Sequence, residues 1–583
     1  MMEQATVTRR QRFELLRMEL EQERSTFIPQ WRDLNDFILP FRARFNTTDT
    51  NRGDRRNLKI IDPTATLALR TAQSGMMAGA TSPARPWFRI TTADKDLSEI
   101  YNVKEWTHLV AQRIAAMFLK SNLYNVLPIL YGDLLVFATA AMFVEKDVDD
   151  VLRFTSIPIG EYCIAKDRRG KINTFQRSFR MTVDQVVGQF VARDPETNEI
   201  TNWDNVSKFV KELYMTGNLQ QWIDVCHIIM PNPQFNPRKL ESRFKKYLSV
   251  YYELGSGSSS KSNYMTMEDE IYLSEKGFDY FPVLCPRWAV TGNDVYGTSC
   301  PGMIAIGDIK QLQAGEKSGM RAIEKMINPA MVGPPELEHA SKNLLPGGVT
   351  YLSEQADRKF RPAHEVNLRV DHLENKQDQV RNRIKEAFYE NLFLRISNDS
   401  RSGVTAREIE EIHQEKFLAV GPVLEQLNED VLDDLINIAF DAMVEMGELP
   451  EPPEELQGKD LKIEYISPMA QAQKSLAIEG IERLASFAGN LAAAQPSVLD
   501  KLDLDQFIDE YSDSVGTSPK LVRSDDATAQ IRQQRADLER QQIQQQAVAQ
   551  GAVTAKNLSQ TNLDQDSALK RLLEQANAGA VNP

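Results

Sequence analysis

The sequence predicts an α+β fold that is mainly helical, on three observations. Helical periodicity fills the first 140 residues and nearly everything after residue 301, while period-two patterns cluster between 151 and 290. Helices therefore precede strands instead of alternating with them as in a parallel βαβ sheet. Two apolar stripes at near-heptad spacing, at 302–327 and 370–396, each need a partner to cover them. Finally, 583 residues are too many for one simple core, so a composite body is expected.

Composition narrows the function. The net charge of −14 argues against coating nucleic acid, which takes an excess of phosphate-neutralising Lys and Arg. It leaves open a surface past which DNA slides. Hydrophobic content of 42% is ordinary for a globular chain. Cys163, Cys226, Cys285 and Cys300 form no CxxC pair and read as reduced core residues. No apolar run reaches about 18 residues, so no transmembrane helix is expected. The first residues lack an apolar signal core.

From the N-terminus, residues 7–37 read as helix, with Phe13, Leu16, Leu20, Phe27 and Trp31 at helical spacing and Pro29 as a kink or split. A polar loop follows, with Arg52, Arg55, Arg56 and Lys59. It is either simply solvated or a contact with an acidic partner or neighbouring subunit. Asp62 is placed as N-cap and Pro63 at the first position of a small-residue helix that ends before Pro83. Residues 87–90 can enter a strand. Two helices are expected over 103–140, split near Ser121 and Asn122, the second buried all round and reading on through 145. Residues 152–167 and 171–182 read as two strands joined by a turn at 167–170. Short helices follow near 183–193 and 203–217. Strands return at 224–231, 247–254, 263–274 and 281–290, with a Gly/Ser-rich tip at 255–261.

The stretch 301–449 organises the chain. Ile309, Leu312, Met320, Ile323 and Ile327 make one stripe. Leu373, Val380, Ile384, Phe388 and Leu392 make the other. Charges of both signs lie between. The excursion 328–367 holds Pro329, Pro334, Pro335, Pro346 and Pro362 and cannot be helical throughout. A segment of that length without helix is expected to be functional. After the polar loop 397–403, Thr405 and Glu408 form a capping box that restarts a helix running to about Met446, with Pro422 kinking it. Residues 461–467 read as one more strand. Residues 468–494 and 502–512 read as helical. The Gln/Arg-rich segment 527–549 carries too few apolar residues to hold itself, and either packs against copies of itself or stays unstructured.

Candidate chemistry is sparse. The run 255–262 looks like a phosphate loop, but Ser260 stands where a glycine should precede the lysine, and a strand pattern follows where a helix is needed. The six histidines show no metal-ligand spacing. His364 and His372 read as solvated, or as facing each other across a subunit contact. There is no GxSxG and no Cys/His pair in a catalytic setting. The reading is a structural protein without cofactor or metal, with a DNA-processing nuclease or ATPase as the alternative.

In its order of elements the chain resembles phage portal proteins, the head-to-tail connector family of short-tailed phages. The residues that carry the resemblance are Ile61 to Ala65, Ala78 to Pro83 and Pro86 to Phe88. Tyr296 and Gly297 come before the long helix. Gly403, Val404, Thr405, Ala406, Arg407, Glu408 and Ile409 follow the polar loop. The resemblance implies a ring of twelve copies at one capsid vertex of the virion, assembled in the host cytoplasm. Double-stranded DNA would pass through it regardless of sequence during packaging and ejection. It implies terminase large subunit, tail adaptor, capsid and scaffolding proteins as partners, and no membrane. It maps 1–300 and 405–465 to a wing, 301–327 and 368–396 to stem helices, and 328–367 to a clip. It maps 397–404 to a channel loop, 466–550 to a crown and 551–583 to an unstructured tail. Under this mapping Lys310, Lys317, Arg395, Asn398, Ser400 and Arg401 face DNA. Pro334, Pro335, Glu336, Asn343 and Pro346 contact terminase or adaptors.

Overall fold

The computed structural model describes residues 8–49, 53–94, 100–193, 202–239, 241–254, 271–332, 361–362, 370–397, 421–456, 461–467, 484–491, 503–515 and 525–559, with a few single positions between. The fold is mixed helix and sheet, as the sequence predicts.

The N-terminal pattern divides into α1 (Arg9–Ser25) and α2 (Ile28–Phe37), with Pro29 in the first turn of the second. Thr8 and Gln11 close a capping box on α1. Helix α3 (Thr64–Ala80) starts one residue later than expected. Pro63 precedes it, and the Asp62 carboxylate accepts from Thr64 N at 2.8 Å, so Asp62 still caps, from one position further out. Helices α4 (Tyr101–Lys120) and α5 (Leu123–Phe137) split where expected. Helix α5 is buried along most of its length and carries Asp133, only 1% exposed, paired with Arg42 at 2.6 Å.

Three readings are corrected, one of them the strand expected over 281–290, which is only Val283–Leu284. Helix α5 stops at Ala138, which sits at φ +61, and 141–147 is a strand, β2 (Ala141–Asp147). An apolar run buried on all sides does not distinguish helix from strand by period, and here it is both in turn. The segment 152–167 is likewise two strands, β3 (Val151–Ile157) and β4 (Tyr162–Lys166), parted by Pro158 and Gly160 and sent to different sheets.

The larger sheet is an antiparallel meander of β4, β5 (Ile172–Thr182), β6 (Trp222–Pro231), β7 (Tyr247–Glu253) and β8 (Ser274–Phe278). A smaller one orders β3, β2 and β9 (Val283–Leu284). Strand β1 (Phe88–Thr92) pairs antiparallel with a strand from far along the chain, Leu461–Tyr465, which ties the two ends of the body together. Short helices α6 (Val183–Phe190) and α7 (Lys208–Met215) cover one end of the meander with their own small core. Helix α1 packs Phe13 on β6 and β7. The main core joins α2 to α5, β2 and β3 to the long helices that follow. All four cysteines are buried and free.

Candidate functional site: the paired long helices

Helix α8 (Pro301–Ile327) begins with Pro301, whose missing N–H costs nothing at that position. Its 27 residues span roughly 40 Å at 1.5 Å per residue. Helix α9 (Val370–Ala387) runs antiparallel to it: Arg383 meets Asp308, Arg381 meets Glu316, and Leu373 reaches Gly319. Ile309 and Leu312 of one helix and Val380 and Ile384 of the other are buried, so the two stripes meet near the body. Further out, Met320, Ile323, Met326 and Ile327 are exposed, with Ile327 71% exposed. Among the described residues, one chain thus covers only the near half of the stripe.

The helix pair is fastened at its base by polar contacts. The Gln313 side chain accepts from Ile61 N at 2.6 Å and Asp62 N at 2.8 Å, and donates to Asp62 O at 2.8 Å. Arg381 donates to Asp62 at 2.8 Å, Glu316 at 2.5 Å and Asp378 at 2.7 Å, gathering α3, α8 and α9 on one guanidinium. Burial alone would raise the Asp62 carboxyl. The bonds from Thr64 and Arg381 outweigh it and hold the group below the usual carboxylate value. Arg383 makes two bonds to Asp308, at 2.6 and 3.1 Å, and Lys310 pairs with Asp33 of α2 at 2.6 Å. On this near half, Lys310, Arg381 and Arg383 are matched to carboxylates.

The second stripe is not one helix. After Phe388, which is fully buried, Tyr389 takes φ +55 and the chain turns into α10 (Glu390–Ser397). Leu392 and Phe393 then bury against α3. Gly75 of α3 allows this: a Cβ there would lie 2.3 Å from the Phe393 ring. The apolar period runs through the break because both halves bury that face, each on a different neighbour.

Beyond the polar loop, residues 421–427 are helical, Asn428–Leu432 make a π turn, and α11 (Asp433–Glu445) continues. The described distortion is therefore this π turn, six residues past the exposed Pro422. It faces three contacts with the body. Asp430 pairs with buried Arg287 at 3.2 Å, Asp434 with Lys171 at 2.8 Å, and Asp433 accepts from Tyr465 Oη at 2.5 Å. The strand that carries Tyr465 is β12 (Leu461–Tyr465). Two short strands, β10 (Met331–Val332) and β11 (Arg361–Pro362), pair where the excursion leaves and returns.

Of the residues singled out from sequence, Lys310 is pinned to Asp33 and Lys317 is exposed on the outer half of α8. Arg395 lies near the end of α10. Asn398, Ser400, Arg401, Thr405 and Glu408, with Pro334, Pro335, Glu336, Asn343 and Pro346, lie outside the described residues, as do the phosphate-loop look-alike and His364. His372 is exposed on α9. His227 is buried in the meander, stacked on Tyr251 at 3.7 Å and bonded to Ser249 at 2.9 Å. Among the described residues no cluster of His, Cys, Asp or Glu is placed to hold a metal ion, and no helix is long and apolar enough to cross a membrane.

Sequence reasoning missed Gln313, Arg381 and Arg287. Each looks like a surface residue of its own element, and its partner lies more than 100 residues away.

The helix at the C-terminal end, α12 (Leu504–Val515), is followed by α13 (Asp525–Ser559), joined through Arg532 and Asp505 at 2.6 Å. Helix α13 runs past residue 551, where an unstructured tail was expected.

The family model described as bacteriophage head to tail connecting protein matches residues 10–522. The chain is 42% identical over 561 residues to the portal protein of Salmonella phage epsilon15, covering 96% of this chain and 97% of that one. It is 39% identical over 552 residues to the probable portal protein of Bordetella phage BPP-1, covering 94% and 95%. A solved chain from the virion of a native gene transfer agent particle aligns over 79% of this chain and 95% of its own, at 10% identity and a TM-score of 0.30.

Proposed function

The chain belongs to the bacteriophage head to tail connecting protein family and serves as a structural portal component of the virion, and from that premise we propose how its parts divide the work. With a structural family shown, the nuclease or ATPase alternative falls. The protein forms a ring, of twelve copies by family resemblance, whose hole passes double-stranded DNA. Residues 301–327 and 368–396 form the stem, 328–367 the clip that meets terminase and tail adaptors, 397–404 the channel loop, and 466–550 the crown. The rest of 1–465 is the wing.

The observation that supports this most is the helix pair. Its near half is fastened to the body with Lys310, Arg381 and Arg383 matched by carboxylates, and its outer half leaves an apolar face bare. A conduit for a polyanion works only if it does not grip, since each phosphate neutralised adds strong, salt-dependent affinity. The bare outer face suits a neighbouring copy in the ring. Near the loop, Arg395 and Arg401 touch DNA in transit or hold it after packaging.

Negative-stain electron microscopy of the purified protein tests the ring: closed rings with a central hole are expected, and a population of monomers overturns the reading. For the loop, R395E with R401E should impair packaging or retention of the genome. Unchanged yields of filled heads would remove the loop from the mechanism. Deleting 334–347 should abolish partner binding while the ring persists.

A further inference from the structure

The turn between β3 and β4 places Gly160 at φ +90, and a Cβ there would lie 2.3 Å from the Arg44 carbonyl oxygen. Only glycine lets the loop after α2 lie on this turn. Arg44 N then donates to Ile159 O at 2.9 Å, and the Gly160 carbonyl accepts from Arg24 of α1 at 2.6 Å. Together with β5 these segments line a half-open cavity of about 470 Å³.

The charges on its wall do not cancel locally. Glu21 holds Arg17 at 2.9 Å, Asp49 holds Arg56, and Glu161 holds Arg177 at 3.2 Å. Arg180 is taken by Asp224 at 2.7 Å. Arg24 and Arg44 remain. Among the described residues, Arg24 bonds to the Gly160 carbonyl and Arg44 to the carbonyls of Phe41 and Ala43, at 3.2 and 3.0 Å, and neither reaches a carboxylate. Arg24 also buries its Nε without a partner. Burial, followed by the nearby Arg56 charge, pushes the Arg44 guanidinium down from its usual value, against the smaller opposing pull of Asp49 and Glu161. Trp222, 47% exposed, adds an apolar surface to the wall.

We propose that this cavity docks an acidic segment of a partner protein, whose carboxylate accepts from Arg24 and Arg44 while an apolar neighbour packs on Trp222. Arginine forks suit carboxylates, and Trp and Arg are the side chains that dominate protein interfaces. Nucleic acid fits less well. The wall leaves only two guanidiniums without a carboxylate, too few to match a run of phosphates, and the chain's net charge of −14 opposes the approach of a dense polyanion. Of the basic residues that the sequence marks in the 41–60 loop, Arg56 and Lys59 are engaged within the chain, with Asp49 and Asp36. The inference does not depend on the ring or on the channel.

The test uses the full-length protein and a labelled hexapeptide of alternating aspartate and phenylalanine, with its asparagine counterpart, read by fluorescence anisotropy. The acidic peptide should bind at least about tenfold more tightly, and R24Q and R44Q should each weaken it about tenfold. T47E leaves both arginines in place and adds a carboxylate to the wall, so it should abolish binding whatever the arginine variants do to folding. Equal binding of the two peptides, or unchanged binding to T47E, overturns the proposal. Displacement of the peptide by a short DNA duplex overturns it in favour of phosphate. A change in oligomer size caused by R24Q and R44Q without peptide reassigns the cavity to a contact between copies.

Discussion

At the scale of single residues, the strongest constraints are charges that two distant segments share. Arg287 is 4% exposed and is satisfied by Asp430 and the Gly170 carbonyl. D430N leaves that cation buried without its counter-charge, which costs about 3–5 kcal/mol. Urea melts of wild type and variant measure it, and a difference under about 1 kcal/mol would mean that the site is solvated. Asp62 gives a pH signature. Its folded value lies below the unfolded value near 4, so its contribution is complete above about pH 4 and is lost as pH falls through the lower folded value. The stability gap between wild type and D62N should therefore hold constant from pH 7 to 5 and close in acid. Asp62 was legible in the sequence as a cap, because capping is local. Its bond to Arg381, 319 residues on, was not, because nothing local marks it.

At the scale of elements, the period of apolar residues identified nearly every helix, yet it misled where burial came from two sides. Residues 141–145 read as the end of a helix because the run is apolar up to Val144. They are a strand because β3 and β9 offer it hydrogen-bond partners. The stripe from Leu373 to Leu392 reads as one helix, and is two because Phe393 finds a place over Gly75. The outer half of α8 makes the opposite case, a legible stripe that one chain leaves uncovered. Exposed substitutions ordinarily change stability by less than about 0.5 kcal/mol. I323E with I327E should therefore leave the melting of the isolated subunit nearly unchanged while preventing ring formation. Size-exclusion chromatography with electron microscopy reads both, and rings that persist would show that this face is not between copies.

At the scale of the whole molecule, the proposed channel would have an acidic chain conduct an acidic polymer. The matched pairs Arg383–Asp308, Arg381–Glu316 and Lys310–Asp33 keep the net charge of the helix base low. Binding of a linear DNA duplex to the assembled protein should therefore be weak, with a log–log salt slope of magnitude under about 3, since each neutralised phosphate adds about 0.9. Filter binding between 50 and 200 mM salt measures it. A slope near 10 would describe a protein that grips its cargo.

The sequence by itself determined the fold class, the long helices, the reduced buried cysteines and the lack of catalytic spacing, because periodicity, caps and motif spacing are local properties. The tertiary structure alone decided where a helix turns into a strand, where the second stripe breaks, and which cations are already neutralised. Those depend on partners brought together from distant parts of the chain, and only the packed molecule supplies them.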